Sequence, residues 1–131
     1  MSVLGELQPN KVFKYFEEIC SIPHGSRNLQ QISDYLVDFA KAHELKYRQD
    51  EDLNVIIWKD GSKGYEASEP VILQGHMDMV AVKEADCDKD MEKEGLDLEI
   101  NGDYISAKGT SLGGDDGIAV AYTLAVLDDE E

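Results

Sequence analysis

The chain has 131 residues, about the length of one domain and enough to bury a core. Its 42% apolar content excludes a wholly disordered polymer. With 28 acids against 12 bases the formal charge is −16, and such a surface repels phosphate backbones and anionic lipid, so nucleic acid and membranes are not expected partners.

No apolar run reaches the roughly 20 residues that a membrane helix needs. The stretch Met1-Ser2-Val3-Leu4-Gly5-Glu6 lacks the basic and apolar regions of a secretory signal. Cys20 and Cys87 match neither a zinc knuckle nor Cys-x-x-Cys, and a disulfide between them stays open on sequence alone. A reduced, cytoplasmic protein is the expectation.

In chain order, Pro9 suits the first turn of a helix. Val12, Phe13, Phe16, Ile19 and Cys20 then recur at helical spacing and predict one buried face, with Cys20 as a buried thiol. Pro23 disfavours helical geometry at Ile22, so the helix should stop near Ser21. His24-Gly25-Ser26-Arg27 reads as a loop, and His24, a loop histidine with no visible partner, receives no role. Asn28 is a candidate cap for a second helix, with Gln31 in the capping-box position and a stripe of Leu29, Ile32, Leu36 and Phe39 joined by Tyr35 and Ala40. Residues 45–49 and 53–59 read as strands around the acidic turn Asp50-Glu51-Asp52. Val55-Ile56-Ile57-Trp58, rich in β-formers, is expected to be a central strand. Turn residues follow from Asp60 to Gly64.

Pro70 introduces Val71-Ile72-Leu73, which has the length and composition of a buried strand. It leads into Gly75-His76-Met77-Asp78-Met79-Val80. His76 and Asp78 are two residues apart, so an extended backbone points both side chains the same way. A neutral imidazole is a good zinc ligand, and a neighbouring carboxylate can hold its other nitrogen. The plainer alternative is a strand-end histidine bonded to a nearby acid. The acidic run from Glu84 to Asp90 lacks EF-hand spacing and reads as a solvated loop. Leu96, Leu98 and Ile100 alternate with acids, Asn101-Gly102 signals a hairpin, and residues 103–107 form the return strand.

The stretch Lys108-Gly109-Thr110-Ser111-Leu112-Gly113-Gly114-Asp115-Asp116-Gly117-Ile118 places acids among glycines ahead of residues 118–127, a helix apolar on nearly every face and expected to be buried. A carboxylate at such a junction can bridge two cations. A phosphate loop fits poorly, because adjacent acids repel an anion and no phosphate-loop pattern is present. Helix capping is open for Asp115 and good for Asp116. The acidic end, Asp128-Asp129-Glu130-Glu131, reads as a frayed terminus.

Together, the stretches at 75–80 and 108–118 closely resemble the aminoacyl-histidine dipeptidases, a group of two-zinc exopeptidases, and Glu18-Ile19-Cys20-Ser21-Ile22-Pro23-His24 fits the same family. The resemblance runs over nearly all of the chain. It implies an α/β fold: a zinc-exopeptidase-like catalytic domain with a mixed, largely parallel sheet flanked by helices. Residues 1–131 would be the amino-terminal part of that domain, with no second domain present. By position, His76 looks like a zinc ligand and Asp78 like the catalytic acid that orients it. Asp115 looks like the carboxylate bridging two zinc ions and is followed in the family by a cis peptide. Where the family commonly has Asn, this sequence has Asp116, which either adds charge near the metals or caps the helix. Cobalt or manganese would also suit these donors. The implied activity is hydrolysis of dipeptides, Xaa-His and carnosine-like ones included. The family's catalytic glutamate and remaining ligands lie beyond Glu131, so the chain alone is expected to be inactive and to bind zinc weakly. A homo-oligomer formed through exposed apolar faces is a further expectation. The alternative is a non-catalytic metal- or partner-binding module.

Overall fold

The computed structural model describes residues 2–130; Met1 and Glu131, the two ends of the sequence reading, lie outside them. Helix α1 spans Asn10–Cys20, with Pro9 just ahead of its first turn and Ser21 closing it. Its buried face is Val12, Tyr15, Phe16, Ile19 and Cys20, one stripe at three- and four-residue spacing. Burial pushes the Cys20 thiol up to about 12. Both cysteines are free, which closes the question of a disulfide between them.

Helix α2 spans Gln30–Ala42 and buries Ile32, Ser33, Leu36, Val37, Phe39 and Ala40. Asn28 does not cap it. Leu29 occupies the cap position without a side-chain bond, and the Asn28 amide donates instead to the Glu92 carbonyl at 3.0 Å. A distant acceptor wins over the local one. Tyr15 of α1 meets Phe39 of α2 edge to face, with ring centroids 5.5 Å apart. Inside α2, the Ser33 hydroxyl is fully buried, donating to the Leu53 carbonyl and accepting from Gln49, both at 2.8 Å.

Strands β1 (Lys46–Gln49) and β2 (Val55–Trp58) pair antiparallel around the acidic turn, as the sequence predicts. Strand β2 is not central, however. Its only partner among the described residues is β1, and Ile56 and Trp58 are exposed. Strands β3 (Leu98–Asn101) and β4 (Tyr104–Ala107) form the second hairpin, whose two-residue loop is Gly102-Asp103, one position on from Asn101-Gly102. Leu98 and Ala107 carry it onto the core.

The expected parallel sheet is not formed among the described residues; the fold is α/β with two small antiparallel sheets. Val71, Ile72 and Leu73 belong to no strand, and they are 82%, 88% and 52% exposed. Apolar β-formers create a demand for burial, but no described strand lies beside them to meet it. Helix α3 spans Gly114–Leu127 and packs along α1. It buries Gly117, Ala121 and Leu124 but leaves Tyr122 and Val126 exposed, so it is covered on one side and not all round. Its end is not frayed at Asp128. The Tyr15 hydroxyl donates to Asp128 Oδ2 at 2.7 Å, His43 Nε2 lies 3.0 Å from Oδ1, and Lys11 donates to the Asp128 carbonyl at 3.0 Å. No helix of the described residues is long and apolar enough to cross a membrane.

Candidate metal centre

The extended segment 75–80 and the start of α3 converge at one exposed edge. Gly113 turns the chain into α3 with φ 75°, a left-handed angle that an L-residue rarely adopts. A β-carbon there would lie 2.9 Å from Met79 Sδ and 3.0 Å from Met79 Cβ. Gly75 meets the same helix from the other side: a β-carbon on it would lie 2.9 Å from Asp116 Oδ2. Ser111 ties the two stretches together, its hydroxyl donating to the Val80 carbonyl at 2.6 Å.

Held in this way, His76 and Asp115, 39 residues apart in sequence, come side by side. His76 Nε2 is 3.1 Å from Asp115 Oδ1, and His76 Nδ1 is 2.9 Å from Asp78 Oδ1. Carboxylates only accept, so both contacts favour the protonated ring. The bond to Asp115 foremost, then those to Asp78, raises the His76 pKa above its ordinary 6.5. The Ser26 hydroxyl donates to Asp78 Oδ2 at 2.6 Å and, ahead of His76, holds the Asp78 carboxyl below its usual range. Asp115 is 96% exposed at its side chain and His76 51%, so both side chains stand open to solvent.

The Asp115-Asp116 peptide is cis, and both residues depart from helical angles, so the regular helix starts after them. Asp116 Oδ2 accepts from the His76 backbone N–H at 3.1 Å. Its carboxylate therefore anchors the histidine segment and makes no cap hydrogen bond at the helix start. His24 is not a surface group. It is 2% exposed, with Nδ1 2.6 Å from the Ile22 carbonyl, and burial lowers its pKa. Among the described residues, no group of three or more His, Cys, Asp or Glu side chains converges as a ready cage for a metal. Ser26, to which the sequence reading gives no role, stands 52 residues before Asp78, too far for any local pattern to pair them.

No family model matches the chain. It is 41% identical over 130 residues to the cytosol non-specific dipeptidase of Escherichia coli (strain K12), a match that covers 99% of this chain and 27% of that protein. The crystal structure of aminoacylhistidine dipeptidase from Vibrio alginolyticus matches it with a TM-score of 0.95 at 38% identity, over 99% of this chain and 26% of that one. The resemblance drawn from the two motifs is thus borne out. The chain spans about a quarter of the length of the relatives that it matches.

Proposed function

We propose that this chain supplies part of the two-zinc site of a metal-dependent dipeptidase acting in the cytoplasm on Xaa-His and related dipeptides. The single observation that carries this is the facing of His76 Nε2 and Asp115 Oδ1 at 3.1 Å, with Asp78 on the far nitrogen. The donor set fits zinc. Zinc would take a neutral imidazole nitrogen and a carboxylate oxygen together as ligands. His76 and Asp115 would hold the metal, and cobalt or manganese would suit the same donors.

Zinc at such a centre lowers the pKa of a bound water and polarises the scissile carbonyl. The chain's own residues keep the donors aimed. Asp78 fixes the imidazole tautomer by accepting from Nδ1, and Asp116 holds the backbone N–H of His76. No residue of this chain is assigned the proton transfer. In the same reading, residues 71–73 join a mixed, largely parallel sheet with strands from outside them.

The 131 residues expressed alone are expected to hydrolyse no alanyl-histidine and to bind zinc weakly. Appreciable hydrolysis that is lost in His76→Ala would contradict this division of the site. Zinc affinity should also depend on pH in one direction. His76 must release a proton before Nε2 can bind a metal, and its pKa lies above 6.5. Affinity therefore falls as the solution is acidified through that raised value and levels off above it, which zinc titration across the range measures. Alone, the chain should also self-associate through Val71, Ile72, Val80 and Val82, all more than half exposed. A monodisperse monomer in sedimentation would contradict that.

A further inference from the structure

We infer that Ser26 is a positioning residue of the metal centre: its hydroxyl holds one oxygen of Asp78 so that the other keeps His76 aimed. The inference rests on the dipeptidase reading and deepens it.

His76 rotates about its side-chain bonds unless something outside the ring fixes it; with Nε2 given to the metal, that is Asp78, whose Oδ1 lies 2.9 Å and whose backbone carbonyl lies 3.1 Å from Nδ1. A carboxylate bonded through one oxygen alone can swing about its own axis. Ser26 Oγ at 2.6 Å from Oδ2 removes that freedom, at a distance typical of a hydroxyl donating to an ionised acid. The two oxygens of Asp78 are thus shared between the ligand and an outside anchor.

The anchor is itself held by backbone bonds. The Ser26 N–H donates to the Met79 carbonyl and the Met79 N–H to the His24 carbonyl, both at 3.0 Å, and Gly25 bridges Met79 in parallel. On its far side the loop is closed by the Asn28 N–H on the Gly25 carbonyl at 2.8 Å and by the Asn28 amide on Glu92. The loop between α1 and α2 is therefore clamped to the residue that follows Asp78, and Ser26 has a defined place from which to donate. Its side chain is exposed and its other contact, the Met79 carbonyl at 3.4 Å, is long, so Asp78 is its principal partner.

The test uses the full-length protein, with zinc ion alone as the probe and alanyl-histidine as the substrate. Ser26→Ala should weaken zinc binding about 10-fold, the lower end of what loss of a ligand-orienting group costs. It should lower kcat while leaving KM unchanged, and Ser26→Thr, which keeps the hydroxyl, should restore both. Wild-type zinc affinity and kcat in Ser26→Ala would overturn the inference, as would a Thr variant as impaired as Ala. Asp115→Ala is the control that separates the two levels. Tight binding by the wild type, lost in Asp115→Ala but kept in Ser26→Ala, refutes the role of Ser26 alone. Wild-type binding no tighter than that of Asp115→Ala refutes the metal centre, and the role of Ser26 falls with it.

Discussion

Gly113→Ala is expected to cost about 2–5 kcal/mol of folding stability, the sum of a left-handed backbone angle imposed on an L-residue and overpacking against a neighbour. The angle is 75°, and the new methyl would stand 3.0 Å from Met79 Cβ. That atom is fixed to the backbone and cannot rotate away. Met79 directly follows Asp78, and its N–H and carbonyl hold the loop that bears Ser26, so relief of the clash displaces the support of His76 along with it. Urea unfolding reads the loss as a lower midpoint at unchanged slope. A cost below about 1 kcal/mol would mean that the turn is less constrained than these distances require.

The second large effect separates ligand from orienting acid. In the full-length protein, Asp78→Ala should lower zinc affinity and hydrolysis of alanyl-histidine by roughly 10–100-fold, the usual cost of removing a group that aims a metal-bound histidine. His76→Ala removes the donor atom itself and should cost more, leaving hydrolysis undetectable. The ranking carries the argument. If Asp78→Ala is the more damaging change, the carboxylate, not the imidazole, is the principal ligand, and the two roles must be exchanged.

The parts of the structure set by near neighbours were legible in the sequence. The apolar stripe of α1, its end at Ser21 ahead of Pro23, and both hairpins follow from spacing and turn chemistry. The His-x-Asp spacing likewise anticipated the 2.9 Å contact of His76 with Asp78, since two residues along an extended backbone share a side. What depended on distant partners was not legible from pattern. Val55-Ile56-Ile57-Trp58 and Val71-Ile72-Leu73 announce burial by composition, yet composition names no partner strand, and both stand partly or wholly open. Asn28 had a local helix end to cap and a remote carbonyl to meet, and it took the carbonyl. His24 has no role in the sequence reading, because nothing near it in sequence foretells the packing that buries it. The meeting of His76 with Asp115 was reached by resemblance of two motifs, not by spacing. Ser26 belongs to neither of those two motifs and came only from the fold.

The most direct test of the account is the metal content of the full-length protein purified from its own cell, measured beside its Asp115→Ala variant. A carboxylate shared by two ions predicts about two zinc ions per chain in the wild type and loss of both on removing the bridge. Absence of zinc, cobalt and manganese alike from the wild type, or the same metal content in both proteins, would contradict a metal centre built on His76 and Asp115.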